Sequence, residues 1–225
     1  MQVAPWPALT RSTNAALAHS PQKDDAMTNN NQNHIMPPPV RVSRRDREQR
    51  QGHRSGVFWF TGPSGAGKST LAHAAEKILF DKGMQVVVLD GDRIRSGLCG
   101  DLGFSPVARH ENLRRIAHVA KIFLEQGVVC LCSFISPAAA DRENAKDIIG
   151  PADFHEIYVS CPLEVCEERD AKGFYKLARK GVIKNYTGVS SPYEAPENPE
   201  LILETAQTPE DACADLLVRF ILSCL

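Results

Sequence analysis

The chain has 225 residues, 43% hydrophobic and 24% charged, and its 26 Lys and Arg against 27 Asp and Glu leave a net charge of -1. That length suits one α/β domain with a full core. No apolar run approaches the ~20 residues of a membrane helix, and 18 basic against 23 acidic side chains from residue 57 onward argue against nucleic acid as the main partner.

Residues 1 to 40 read as a disordered or processed N-terminal tail. Asn29-Asn30-Asn31-Gln32-Asn33 and Pro37-Pro38-Pro39 lie there without helical or strand period. No basic start precedes an apolar core, so no secretory signal is expected. The first 23 residues lack acids and contain Ser, Thr and Ala, which leaves an organellar transit peptide open beside the expected cytoplasmic location. Met27 and Met36 are alternative starts. Residues 41 to 55 form a basic lead-in with Arg41, Arg44, Arg45, Arg47 and Arg50, expected as a short solvated helix. Residues 56 to 225 form the folded domain.

That domain opens on Val57-Phe58-Trp59-Phe60-Thr61, an apolar β-rich run, and Leu71 to Leu79 reads as a helix. Between them Gly62-Pro63-Ser64-Gly65-Ala66-Gly67-Lys68-Ser69-Thr70 fits the pattern G-x-x-x-x-G-K-[ST] without a gap. Glycines let such a loop wrap phosphates with backbone N–H groups, and the helix start adds partial positive charge. Lys68 is expected to reach the terminal phosphates of ATP and Ser69 to hold Mg²⁺.

Strands and helices then alternate. Gln85 to Asp90 is a second strand after a helix stop at Lys82-Gly83, Val128 to Phe134 a third, and Phe154 to Ser160 a fourth. From His110 to Gln126 a helix is expected with Leu113, Ile116, Ala117, Ala120, Phe123 and Leu124 on one face. Thr208-Pro209-Glu210-Asp211 reads as the cap of a last helix that buries Leu216, Leu217, Phe220 and Ile221. The alternation predicts a P-loop NTPase-type α/β fold, a parallel sheet with helices on both faces, as a single domain with a mobile lid. The seven cysteines are odd in number and without a C-x-x-C pair, so buried free thiols are expected.

Ligands of such sheets bind beyond the carboxyl ends of the strands. After the second strand, Asp90-Gly91-Asp92-Arg93-Ile94-Arg95 suits Mg²⁺ and an anionic acceptor, with a carboxylate to orient or deprotonate a hydroxyl. After the third comes Ile135-Ser136-Pro137, where Ser136 is expected to face the site. Arg109 and Asn112 share a helix face able to clamp an oxyanion, and Phe104 offers a flat face to a base. The basic stretch from Arg169 to Lys180 falls where a lid would close and exclude water.

These segments together resemble the adenylylsulfate kinase (APS kinase) family from about His53 to residue 205. The motifs are Phe58-Trp59-Phe60-Thr61-Gly62, Leu89-Asp90-Gly91-Asp92, Asp101 to Ser105, Arg109 to Arg115, Ser133 to Pro137, Lys172-Gly173-Phe174-Tyr175, Lys184 to Gly188 and Ser191 to Glu194. The resemblance implies a kinase that phosphorylates the 3′-hydroxyl of adenosine 5′-phosphosulfate with ATP, in sulfate assimilation. It implies ATP on Gly62 to Thr70, and acceptor binding by Arg95, Arg109, Asn112, Ile135 and Ser136. It further implies adenine between Phe104 and Tyr186, Lys172 on the lid, and Asp92 or Asp90 as base and metal partner. Ser136 matches the family's phosphoserine position, although in-line transfer needs no covalent step. A homodimer is expected on the same ground, with no membrane partner.

The chain departs from the family pattern at Pro63, Arg93, Cys99, Ala138, Ala139, Ala171, Phe174 and Tyr186. Ala138 and Ala139 replace an aromatic or His plus Arg, and the lost cation is expected to lower acceptor affinity or rate. Two other readings stay open: another small-molecule P-loop kinase, and a degenerate relative that binds nucleotide without turnover.

Overall fold

The computed structural model describes residues 40–225, so the tail expected for residues 1 to 40 lies outside the described residues, Val40 excepted. Helix α1 (Arg44–Gln51) precedes β1 (Val57–Thr61), α2 (Lys68–Asp81), β2 (Val86–Asp90), α3 (Gly91–Arg95), α4 (Pro106–Glu125) and β3 (Val129–Ser133). Then follow α5 (Ala139–Ile149), β4 (Phe154–Ser160), α6 (Leu163–Arg169), α7 (Phe174–Arg179), β5 (Leu201–Glu204) and α8 (Glu210–Cys224). The five strands form one sheet in the order β2-β3-β1-β4-β5 with every pair parallel.

The central strands β1 and β3 are buried along their whole length, which is why they read as continuous apolar runs. Within β1 successive side chains enter different cores, as the period of two requires. Phe58 and Phe60 join Leu131, Ile157 and the apolar faces of α2 and α8. Val57 and Trp59 join Cys130, Cys132 and the faces of α4 and α5.

Four details differ from expectation. The edge strand β5 is only four residues long and half exposed, too short to register as a strand pattern. Helix α4 starts earlier than His110, because Ser105 caps it through a bond from the Ala108 N–H and Pro106 takes the first turn. Pro209, not Thr208, occupies the N-cap of α8 and no side chain caps it; Leu216 is exposed, whereas Cys213, Ala214, Leu217, Val218 and Ile221 face the core.

The fourth concerns α1, which is docked rather than freely solvated. The Arg44 guanidinium reaches both Asp153 oxygens at 2.8 Å, and also donates to Glu48 and to the Ser55 carbonyl. We expect Arg44→Ala to lower stability by about 1–2 kcal/mol, since hydrogen bonds to charged groups in partly exposed networks fall in that range. The check is a lower urea midpoint at unchanged slope. The seven cysteines are free, and burial pushes the Cys130 and Cys166 thiols up to about 12.

Candidate active site

Three strand ends converge at one edge of the sheet. β1 runs into the glycine loop, β2 into the short α3, and β3 into the Ile135–Pro137 turn, which is tied back by the Gly62 N–H donating to the Ile135 carbonyl at 3.5 Å. Gly62, Gly65 and Gly67 have φ of 153°, 79° and 97°, a region that side chains disfavour. At Gly62 a Cβ would meet the Val159 carbonyl oxygen at 2.4 Å. Gly62→Ala is therefore expected to cost at least about 2 kcal/mol and to lose nucleotide binding, read by thermal melting with and without Mg-ATP.

The loop is braced from below. Tyr175 Oη donates to the Ser64 carbonyl at 2.9 Å, Thr205 Oγ1 to the Ala66 carbonyl at 2.7 Å, and Arg169 to the Thr205 carbonyl at 2.6 Å. Lys68 is buried and its ammonium donates to the Gly62 and Pro63 carbonyls at 2.8 and 2.6 Å. Burial lowers its pKa to about 8, partly offset by the neighbouring Cys166 and Asp90 side chains. Pro63 and Ala66 are buried, while Ser69 and Thr70 are exposed at the helix start.

Asp90 serves two neighbours. Its Oδ1 accepts from the Asp92 N–H and so caps α3, and its Oδ2 accepts from Ser69 Oγ at 2.6 Å, with Ser133 Oγ 3.2 Å from the same hydroxyl. These hard oxygen donors fit Mg²⁺. Asp92 is exposed and pairs with Lys172, which lies between α6 and α7.

The residues expected to bind the acceptor are linked to this cluster through α3. The Arg95 guanidinium lies 4.4 Å over the Phe104 ring and donates to the Gly103 carbonyl at 3.0 Å. Arg109 donates to the Phe104 carbonyl at 3.0 Å, to Thr187 Oγ1 at 2.5 Å and to the Asn185 carbonyl. Burial holds both guanidinium pKa values below their usual level, and both stay charged. Asn112 is buried, and among the described residues its Oδ1 has no hydrogen-bond partner. An unpaired buried polar atom costs about 1–3 kcal/mol, so a ligand donor there would relieve a standing penalty.

One expectation is corrected by these positions. Ser136 does not open to the site: it is 2% exposed, and its Oγ accepts from Trp59 Nε1 at 3.2 Å. Tyr186 pairs edge-on with Tyr175 at 5.0 Å, and one face of the exposed Phe104 ring carries Arg95. Ile135 is half-buried and its carbonyl accepts from Thr61 Oγ1 at 2.9 Å.

Sequence reasoning missed the residue that fixes the Ser136 turn. Ser136 has φ 38°, a strained value for serine. Arg142 from α5, 4% exposed, donates to the Ser136 carbonyl at 2.8 Å and to Glu156 at 2.6 Å. In the sequence it is one charge within a polar helix, and no spacing marks it. Glu194 stands out in the sequence only as the end of the Ser191 to Glu194 motif; its carboxylate accepts from the Ala139 N–H at 2.7 Å and caps α5, whose own N-cap Ala138 has no side chain for that task.

The family model for adenylylsulphate kinase matches residues 54–204. An adenylyl-sulfate kinase of Acaryochloris marina is 52% identical over 180 residues, covering 80% of this chain and 88% of its own length. One from Clostridium acetobutylicum is 46% identical over 195 residues, covering 87% and 97%. Among solved structures, the Mycobacterium tuberculosis APS kinase in complex with AMPPNP and APS superposes with a TM-score of 0.72 at 44% identity, over 75% of this chain and 98% of that one. A glycine loop, a capped carboxylate and an arginine-lined face, joined in one fold and matched along most of its length, place this chain in the adenylylsulfate kinase family.

Proposed function

We propose that the chain transfers the γ-phosphoryl of ATP to the 3′-hydroxyl of adenosine 5′-phosphosulfate, giving 3′-phosphoadenylyl sulfate and ADP, in sulfate assimilation. The observation that carries this reading is the unbroken line of contacts from Ser69 through Asp90 and α3 to Arg95, Phe104 and Arg109. It ties a phosphate loop to a cationic face with one aromatic ring, which suits a nucleotide acceptor bearing a charged oxyanion.

In this reading Gly62 to Thr70 hold the ATP phosphates, with the Lys68 ammonium turning from its loop carbonyls to the terminal phosphates. Ser69 and Asp90 would hold Mg²⁺, which when bound screens the charge shared by the β- and γ-phosphates. Asp90 is buried and committed to Ser69 and to the cap of α3, whereas Asp92 is exposed and held only by Lys172, so Asp92 is the carboxylate that would accept the acceptor's hydroxyl proton. Arg95, Arg109 and Asn112 bind the acceptor, Phe104 stacks on its base, and Ile135 walls the pocket, with the buried Ser136 holding the turn behind it. Lys172 reaches across from the lid segment, whose closure excludes water and favours transfer over hydrolysis. The domain responsible is 56–225 with 41–55 as its lead-in, acting as a homodimer in the cytoplasm. Among the described residues no helix is long and apolar enough to cross a membrane.

Coupled ADP release with Mg-ATP tests the reading, with adenosine 5′-phosphosulfate, AMP and gluconate compared as acceptors. Turnover confined to the sulfonucleotide supports it, and turnover with another acceptor discards it. Ser136→Ala is expected to keep turnover within about tenfold, the cost of one unpaired indole N–H; complete loss would restore a covalent role for its hydroxyl.

A further inference from the structure

The chain carries a second cluster of chemically distinctive side chains, away from the glycine loop. His155 sits near the start of β4, Glu200 directly precedes β5, and Cys224 ends α8. One ligand atom from each lies within 4.8 Å of the others, with His155 Nδ1 2.8 Å from Glu200 Oε2. Parallel pairing explains how two of them meet: Ile157 registers with Leu201, and the Glu200 N–H donates to the Glu156 carbonyl at 2.9 Å, which sets Glu200 beside the start of β4.

The imidazole is held in place by packing. Its ring stacks on Phe58 at 5.0 Å and 19°, and meets the edge of Phe220 at 6.2 Å. Glu200 keeps 46% exposure, so it can swing, and an ion can enter from solvent on its side. Bond lengths of ~2.0–2.3 Å place tetrahedral zinc donors about 3.3–3.7 Å apart, which the three groups reach by rotation of the Glu200 and Cys224 side chains.

We propose that His155, Glu200 and Cys224 bind a divalent transition-metal ion of the zinc type, with water in the fourth position, and so fasten the end of α8 to the sheet. The donor set selects the metal class. A thiolate and an imidazole suit zinc or cobalt, whereas Mg²⁺ and Ca²⁺ take oxygen ligands only. On binding, the Cys224 thiol releases its proton to solvent and its sulfur bonds the metal, while Glu200 and the neutral imidazole contribute lone pairs. The two negative charges balance the dication. Phe58 is the strand partner of His155, three rungs before the Thr61 that leads into the glycine loop, a distance of about 10 Å along the strand. The site is therefore structural, and phosphoryl transfer does not pass through it.

The test uses the full chain, reduced and stripped of metal, titrated with Co²⁺ and then Zn²⁺. One equivalent of Co²⁺ should give a near-ultraviolet sulfur-to-cobalt band that Zn²⁺ displaces, and Zn²⁺ should raise the melting midpoint. Cys224→Ser should abolish the band, and Glu200→Gln, at a half-exposed position that folding tolerates, should weaken Co²⁺ binding by more than about tenfold. Both variants keep the other six cysteines, so a band that survives unchanged in them assigns the metal elsewhere and overturns the site. Absence of any band in the parent chain overturns it equally.

Discussion

Lys68→Ala is expected to lower kcat for phosphoryl transfer by at least about 10³-fold while the protein stays folded. The side chain is buried against two carbonyls of its own loop, so in the free protein it works as a folded-back donor. With ATP bound, the phosphates would compete for that ammonium as charge develops on the transferred group. Removing it takes away the cation of a water-poor pocket, where each charge counts most. Single-turnover measurements with Mg-ATP separate this loss from weakened binding. A pH signature accompanies it. Burial lowers the Lys68 pKa to about 8 in the free protein, so its charge is full below that pH and is lost as pH rises through it. ATP favours the charged form, and binding above pH 8 must therefore take up a proton. ATP affinity should weaken as pH rises past 8 in the parent chain, and Lys68→Ala should lack that component.

Arg142→Met should lower stability by about 3 kcal/mol. That is the lower end expected for breaking a buried ion pair, because Glu156 keeps 22% exposure. The substitution leaves Glu156 without its guanidinium and the Ser136 carbonyl with only the longer bond from Thr61 Oγ1. Ser136 at φ 38° persists only because Arg142, Trp59 and Thr61 over-determine it. The turn should relax, and the wall of the proposed acceptor pocket with it. Urea unfolding reads the first effect. The second is a rise in KM for the sulfonucleotide with KM for ATP little changed, a split that general destabilisation does not produce. Equal rises in both would show that the turn does not form part of the acceptor site.

Much of this protein is determined locally, and those parts were legible. The P-loop declares itself because φ above zero at Gly62, Gly65 and Gly67 demands glycine and the phosphates demand Lys68 and Ser69 at fixed offsets. The central strands β1 and β3 were legible because burial on both faces leaves nearly continuous apolar runs, whereas β4 shows an alternating burial pattern. Asp90 to Arg95 was marked by the end of a strand. Only packing decided the rest. β5 is defined by its neighbour β4 more than by its own four residues. Leu216 and Leu217 are indistinguishable in sequence, and the rotation of α8 against the sheet exposes one and buries the other. Arg44 and Arg142 read as surface charges until the fold delivers Asp153 and Glu156, respectively, to their guanidinium groups. Ser136 stands at a strand exit, which suggests an exposed hydroxyl, yet the indole of Trp59, 77 residues away, turns it inward. Local rules fix which backbone a segment prefers, whereas the partner of a long polar side chain depends on contacts distant in the chain, and those exist only once the sheet has assembled.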